Sequence, residues 1–593
     1  MKLCSHHLWI CLIALFSERI LVAQAPTTSP RRTNDPIERI RDEGLNRSQV
    51  MATLSHLTDV IGPRLTGSPQ MRRANEWTRD RLAAWGLTNT QVEPWGTFGR
   101  GWSLQRFSAQ VVSPQSIPLI AYPKAWSPSL GTQPLTTDLI HVDIKKPEDF
   151  AKYRGKLRGL IVLDGPVQEL AMRFEPLASR RNETNLLALA NATEGVPVYL
   201  RPTPTNMLST PEQRAAIALL PKRYQFFAEE GVAVLLQPSR AGEAGTLFTQ
   251  GATVYEPARP APPTDRRSSP LPTNNVPSSS RSFLPWTTNC PPITPQITVA
   301  TEHFNRLVRM TQQGEKLRAA IELQCEYHTA DLTAANTVAE ILGTDLANEL
   351  VMVGAHLDSW HSGTGATDNA AGCAVVMEAV RILQALGLKP RRTIRVALWS
   401  AEEQGLLGSR AYVAKHFGGM VTNTPSAPSS NRATITTTPM QTTTALVRKP
   451  AYNNFSGYFN LDNGAGKIRG IYLQGNEAAR SLFRSWLVPF RDLGAETVTY
   501  ASTGGTDHLP FDAIGLPGFQ FIQDEIEYWT RTHHANMDVY DRTVVEDLKQ
   551  ASVIMAGFLY RAAMTDEKIP RKPDLSSAPK GPGTNKKSDA KGK

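Results

Sequence analysis

The sequence predicts a mixed α/β fold in which a largely parallel sheet is covered by helices on both faces. Continuous apolar segments of strand length recur in the second half of the chain, at residues 350–354, 393–399, 457–461 and 518–522. Segments with helical spacing separate them, at 370–386 and 404–416. Strands without polar alternation are buried on both sides, which is typical of sheets flanked by helices.

The chain is long enough for several domains, and its character changes along its length. Helical patterns at 49–59 and 71–85, followed by a strand at 90–93, predict that residues 37–129 form the first part of the main domain. Residues 297–565 carry the alternating strands and helices and complete it.

The block between these two parts, residues 130–296, differs from both. It has short apolar strands at 157–163 and 232–236 around a short helix at 224–231. Residues 256–296 then become rich in proline and serine, as in a loop or linker. We expect this block to be a small β-rich domain inserted into the main one.

Both ends of the chain have a distinct composition. Residues 1–25 are typical of a secretory signal peptide, with Lys2, a short apolar run and an Ala-Gln-Ala cleavage motif that ends at Ala25. This predicts a secreted or periplasmic protein. Residues 566–593 are rich in lysine, proline, glycine and serine, and we expect a disordered basic tail.

Charge and composition exclude several classes of protein. The net charge is +10, but the tail supplies four of these charges and no basic helix stands out, so we expect no nucleic-acid partner. No apolar run reaches the ~18 residues of a membrane span. Five cysteines in 593 residues exclude a disulfide framework. After signal cleavage Cys290, Cys325 and Cys373 remain, and whether Cys290 pairs with Cys325 stays open.

Metal-ligand residue types follow each of the four apolar strands. The ends of parallel strands share one edge of a sheet, where sites of α/β proteins lie. The residues concerned are His356 and Asp358 after the first strand, Asp368 at the start of the next helix, Glu402 and Glu403 after the second strand, Asp462 after the third, and His533 and His534 in the loop after the fourth. Mixed histidine and carboxylate ligands suit Zn²⁺, and their number suits two ions that share a carboxylate.

The same residues occur in motifs that resemble the co-catalytic zinc exopeptidases of clan MH. The segment GPRLTGS at 62–68 is similar to the one that leads into these peptidases, and the inserted block resembles a protease-associated (PA) domain. The shared motifs cover about residues 336–545 in the family's order: AHLD at 355–358, GATDNAAG at 365–372, SAEEQGLLGS at 400–409, NLD at 460–462 and HANMD at 534–538.

The resemblance implies a role for each matching residue. Two Zn²⁺ ions are implied per chain. One is bound by His356 and Asp462 and the other by Glu403 and His534, with Asp368 bridging them. Two further roles are implied: Glu402 as the general base, and Asp358 as the residue that holds the ring of His356 in one tautomer. His361, Asp507, His508 and Tyr528 are candidates for substrate contacts.

The function that this resemblance favours is a secreted exopeptidase acting on short peptides, an aminopeptidase or dipeptidase. A carboxypeptidase of the carboxypeptidase Q type, a glutaminyl cyclase and an inactive peptidase fold used for binding are the alternatives. A glutaminyl cyclase or an inactive peptidase fold would have fewer metal ligands than this sequence retains. Side-chain preference and oligomeric state, a homodimer included, stay open.

One further expectation concerns residues 421–450, which are rich in threonine, serine, proline and asparagine. They lack apolar periodicity, so we expect a long mobile loop. Because the helix before it runs back from the site edge of the sheet, this loop should lie on the side away from the metal ions.

Overall fold

The computed structural model describes residues 34–193, 211–255, 282–423 and 443–573. The expected signal peptide, most of the basic tail and the centre of the 421–450 segment lie outside these residues. In chain order the helices are α1 (Pro36–Asn46), α2 (Val50–Ser55), α3 (Pro69–Ala84), α4 (Phe150–Tyr153), α5 (Glu183–Ala190), α6 (Pro211–Glu230), α7 (Thr301–Gln312), α8 (Ala371–Ala385), α9 (Leu407–His416), α10 (Ala451–Asn454), α11 (Arg480–Leu487), α12 (Leu509–Asp512) and α13 (Val545–Met564).

The strands belong to two large sheets and two two-stranded sheets. In chain order they are β1 (Thr88–Thr97), β2 (Gly101–Ser113), β3 (Ile117–Pro118), β4 (Ala121–Pro123), β5 (Leu135–Val142), β6 (Ile161–Asp164), β7 (Val234–Pro238), β8 (Val254–Tyr255), β9 (Ser282–Phe283), β10 (Gln296–Val299), β11 (Leu317–His328), β12 (Thr333–Ile341), β13 (Leu346–His356), β14 (Arg392–Trp399), β15 (Gly418–Asn423), β16 (Thr443–Arg448), β17 (Phe455–Asn460), β18 (Ile468–Tyr472), β19 (Thr497–Thr499) and β20 (Gly518–Gln523).

The first sheet has the strand order β1-β12-β14-β13-β17-β20-β18-β19. Its central strands β14, β13, β17 and β20 are parallel to one another. His356 at the end of β13 is paired with Trp399 at the end of β14. Because Gly354 also pairs with Asn460 at the end of β17, these strands finish at one edge. The four strands are those that the sequence predicted, and the mixed α/β fold is confirmed.

Side chains of β13 point alternately into two separate cores. Val351 and Val353 pack with α8 and α13, whereas Leu350 and Met352 pack with α9 on the opposite face. The sheet is therefore covered on both sides, which explains why its strands are continuously apolar.

Helix α8 begins unusually close to the end of β17. A Cβ atom at Gly372 would lie 2.3 Å from Oδ1 of Asn369 and 2.5 Å from the carbonyl oxygen of Leu461. Only glycine fits at this position. The close approach of the helix to β17 brings Asp368, which lies just before the helix, near Asp462.

The second sheet extends beyond the expected insertion at 130–296. Its order is β3-β2-β11-β5-β6-β7-β10-β4, so it takes strands from residues 101 to 328. The long strands β2 and β11 pair antiparallel from Gly101 with His328 to Ser113 with Arg318. Strands β5, β6, β7 and β10 run parallel, with α6 between β6 and β7. This unit is therefore a mixed sheet that includes helices, among them one that overlaps the expected helix at 224–231.

The expected loop at 421–450 has an ordered base. Strands β15 and β16 form an antiparallel hairpin, with Gly418 opposite Arg448. Gly418 has φ +126°, and a Cβ atom there would lie 2.1 Å from the carbonyl oxygen of Val447. The hairpin leads through α10 to the start of β17, the end of that strand away from Asp462. The prediction of a loop over all of residues 421–450 is therefore wrong, because strand pairing extends to Asn423 on one side and Thr443 on the other.

Candidate metal centre

The five expected metal ligands lie together at the carboxyl edge of the parallel strands. Nε2 of His356 is 3.1 Å from Oδ1 of Asp368 and 3.6 Å from Oδ1 of Asp462. Nε2 of His534 is 3.3 Å from Oδ2 of Asp368 and 2.9 Å from Oε2 of Glu403. The two carboxylate oxygens of Asp368 thus face one imidazole each, which is the arrangement of a bridging ligand.

His533 and His534 occupy different positions. Nε2 of His533 is 3.9 Å from Oδ2 of Asp368, farther than that of His534, and the two rings stack 3.7 Å apart. His534 has φ +55°, a left-handed conformation that a residue with a side chain rarely adopts. This backbone turn directs His534 toward Glu403, which supports the choice of His534 as the ligand.

Asp358 holds the backbone of the two glutamates. Its Oδ1 accepts a hydrogen bond from the amide of Glu402 at 3.2 Å, and its Oδ2 accepts one from the amide of Glu403 at 3.3 Å. Nδ1 of His356 lies 3.7 Å from the carboxylate but 2.9 Å from the carbonyl oxygen of Asp358. The backbone of Asp358, rather than its side chain, makes the closer contact with that ring.

Residues of the 62–68 segment support this arrangement, although their motif gave no role for them. Thr66 donates its hydroxyl hydrogen to Oδ2 of Asp358 and accepts the amide of Ala401. Arg64 is fully buried and donates to the carbonyl oxygens of Leu357 and Gly365, which flank the ligand loops. The segment therefore fixes the loops that follow β13 and β14.

Asp538, at the end of the motif HANMD, supports the bridging ligand. Its Oδ1 accepts the amide of Thr367 at 2.6 Å, and its Oδ2 accepts the amide of Asp368 at 3.2 Å. Burial raises the pKa of Asp538 to about 7, and the nearby Asp368 adds to this shift.

Burial and crowding of acids shift the pKa values of this cluster. Burial raises the pKa of Glu402 well above its usual range, against the opposing effect of His356. Burial also raises the pKa of Glu403 to about 7. Burial disfavours the charged form of His534, but Glu403 and Asp368 outweigh it and raise the pKa of this ring to about 10. Buried carboxylates of this kind are stabilised by cations.

The donor set fits a metal ion. Nε2 of His356 and Oε1 of Glu403 are buried and have no hydrogen-bond partner among the described residues. His356, Asp368 and Asp462 each offer one ligand atom, and these atoms lie within 4.8 Å of one another. Imidazole nitrogens mixed with carboxylate oxygens are ligands that Zn²⁺ accepts.

A cleft of about 530 Å³ opens beside these ligands. Tyr528 lines it, as do Glu402 and the unforeseen residues Trp529 and Arg410. No feature of the sequence distinguished these last two, since an aromatic or arginine residue in a loop or on a helix surface is common.

The other three candidates for substrate contacts do not line the cleft. His361 is buried, its Nε2 lies 2.8 Å from the carbonyl oxygen of Pro123, and burial lowers its pKa to about 4. His508 is fully buried, with Nε2 3.1 Å from the carbonyl oxygen of Thr503. Asp507, also fully buried, accepts a hydrogen bond from Ser409. These three side chains are therefore buried and are not exposed to the cleft.

The three cysteines in the described part of the chain form no disulfide with one another. Cys290, Cys325 and Cys373 are free thiols. Cys373 is buried in α8 and donates to the carbonyl oxygen of His356 at 3.0 Å.

None of the helices in the described residues is long and apolar enough to cross a membrane.

A mixed α/β sheet thus carries paired histidine and carboxylate side chains at its carboxyl edge, a donor set that suits a metal centre. Residues 336–559 match the model of Peptidase family M28.

Similarity to known proteins extends over part of the chain. Carboxypeptidase Q of Mus musculus is 28% identical over 280 residues, 47% of this chain and 52% of the relative. Aminopeptidase YwaD of Bacillus subtilis (strain 168) is 26% identical over 229 residues, 37% of this chain and 42% of the relative. The chain thus spans about half the length of the curated relatives that it matches.

A crystal structure of a Peptidase M28 precursor from Shewanella amazonensis SB2B has the same fold. It is 21% identical with a TM-score of 0.58, and the match covers 91% of this chain and 98% of that one.

Proposed function

We propose that this protein is a zinc-dependent exopeptidase that hydrolyses peptide bonds at the ends of short peptides. The observation that carries the proposal is the position of Asp368, whose two carboxylate oxygens face His356 and His534 at 3.1 Å and 3.3 Å. His356 and Asp462 would hold one Zn²⁺, and Glu403 and His534 the other.

Zinc bound at these residues would supply a Lewis acid that polarises the scissile carbonyl and lowers the pKa of a water molecule. Glu402 lies in the wall of the cleft beside the ligands and acts as the general base. It accepts the proton of the attacking water and returns it to the nitrogen of the leaving amine. Burial increases the proton affinity of its carboxylate, which suits this task.

Asp358 keeps Glu402 and Glu403 in separate roles. By accepting both of their backbone amides, it fixes the turn from which the two side chains diverge. One side chain then points to His534 as a ligand, and the other remains available to the water.

The end of the peptide that is cleaved distinguishes an aminopeptidase from a carboxypeptidase. Relatives include both a protein named carboxypeptidase Q and a protein named aminopeptidase. We favour an aminopeptidase or dipeptidase, with a carboxypeptidase as the alternative, and we expect export to the periplasm or the medium because of residues 1–25. A protease-associated domain formed around residues 130–296 would allow only short peptides to reach the cleft.

The test combines metal analysis with a substrate panel. Elemental analysis of the purified protein should give about two zinc ions per chain, and chelation should abolish hydrolysis of dipeptides and aminoacyl anilides. Blocked dipeptides with a free carboxyl end distinguish a carboxypeptidase. Full activity with one zinc, indifference to chelators, or internal cleavage of unfolded proteins at comparable rates would each refute the proposal.

A further inference from the structure

The second sheet unit touches the metal ligand His534 directly. A segment that follows β7 runs alongside the loop that carries this histidine. The amide of Thr249 donates to the carbonyl oxygen of His534 at 3.0 Å. Leu247 and Asn536 exchange two hydrogen bonds, of 2.7 Å and 3.0 Å. The position of the ligand loop therefore depends on residues about 285 positions earlier in the chain.

Gln250, from the same segment, meets the ring of His534 at the nitrogen that faces away from the metal centre. Nε2 of its amide is 2.9 Å from Nδ1 of the ring. Its Oε1 accepts a hydrogen bond of 3.1 Å from the exposed guanidinium of Arg240. Since Nε2 of His534 faces Glu403 and Asp368, Gln250 occupies the position where a metal-binding histidine meets its hydrogen-bond partner.

The proton on Nδ1 decides which end of the amide is suitable. Two states of His534 fit its surroundings, namely the protonated ring and the ring bound to a metal ion through Nε2. Both carry a hydrogen on Nδ1 and therefore need an acceptor there. A half turn of the Gln250 amide about its last torsion places Oε1 in this position, at the expense of one surface contact with Arg240.

We propose that Gln250 is a positioning residue for the second zinc ion: it accepts the Nδ1 hydrogen of His534 and so presents the lone pair of Nε2 to the metal. This proposal rests on the proposed zinc function. It makes the second sheet unit part of the metal centre and not only a cover for the cleft. The same partnership between a ligand histidine and an outer acceptor typically changes metal affinity by about 10- to 100-fold.

Three substitutions separate this role from simple packing between the two units. Gln250→Met keeps the length of the side chain and removes the acceptor. Gln250→Glu offers acceptors only, so it suits the Nδ1 hydrogen without a half turn. Gln237→Met is the matched control, because Gln237 contacts Lys124 and Asp164 in the same unit and makes no hydrogen bond to His534.

The measurement is a titration of metal-free full-length protein with Zn²⁺ in competition with a chromogenic chelator. Thermal unfolding of the metal-free variants checks that each is folded. We expect Gln250→Met to weaken one of the two zinc-binding steps by about 10- to 100-fold. Gln250→Glu should bind at least as tightly as the wild type, and Gln237→Met should match it.

Wild-type affinity in Gln250→Met, or an equal loss in Gln250→Met and Gln250→Glu, overturns the assignment while leaving the zinc function intact. If Gln250→Met does not fold, the Gln250→Glu variant decides the question: weaker Zn²⁺ binding than the wild type then overturns the assignment of Gln250. A wild type that binds no Zn²⁺ refutes the proposed function itself, and the role of Gln250 with it.

Discussion

Replacing Glu402 by glutamine changes the charge of one buried side chain and leaves its size unchanged. The backbone of residue 402 remains held by Asp358 at 3.2 Å, so the loop should keep its shape. A general base contributes about 10²- to 10⁴-fold to a rate. We therefore expect a loss of up to about 5 kcal/mol, at 1.36 kcal/mol per factor of ten.

Glu403→Gln is the matched control, because the two glutamates are adjacent and the change is the same. Oε2 of Glu403 is 2.9 Å from Nε2 of His534, and its Oε1 is buried with no hydrogen-bond partner in the part of the chain that the structure describes. Loss of this negative charge should lower zinc occupancy, and excess Zn²⁺ should restore part of the activity.

The assay measures zinc content after dialysis, together with kcat on the best peptide of the panel at saturating Zn²⁺. Glu402→Gln should retain both ions and lose turnover. If Glu402→Gln loses zinc while Glu403→Gln keeps it, the two roles are reversed. Turnover within tenfold of the wild type in zinc-replete Glu402→Gln refutes the general base.

Three other predictions test different parts of the molecule. Asp358→Asn turns one acceptor into a donor that faces a backbone amide, so zinc affinity in the chelator titration should fall about 10- to 100-fold; an unchanged affinity would contradict this support. The pKa of Glu93 falls to about 2, because His416 and Lys415 outweigh burial. Its ionised form therefore stabilises the fold above its ordinary pKa near 4.5, and the excess Tm of wild type over Glu93→Gln should vanish as pH falls toward 2; a constant excess would exclude this linkage. Replacing residues 424–442 by a short Gly/Ser linker should leave kcat/KM within a few-fold, and a large loss in folded, zinc-replete protein would place this segment at the cleft.

The sequence predicts that the expected ligands lie together because several of them follow continuous apolar strands. His356 and Asp462 are one or two residues beyond buried segments, and parallel strands bring such positions to one edge. The contact between Gln250 and His534 could not be predicted, since it joins residues 284 positions apart without periodicity or motif.

Burial of polar side chains is equally hard to predict from sequence alone. His361 and His508 lie in loops whose composition suggests exposure, yet both are buried against backbone carbonyl oxygens. The limits of the second sheet were also underestimated, because β2 and β11 carry polar residues on one side and lie in segments that the sequence assigned to the main domain.

The chain crosses between the two large sheets in two places, and these crossings are themselves paired. Strand β1 continues into β2, and β11 continues into β12, with the amide of Phe98 hydrogen-bonded to the carbonyl oxygen of Leu332 between them. The two units are therefore tied at two separate places, by these paired crossings and by the hydrogen bonds of residues 247–250 to the loop of His534.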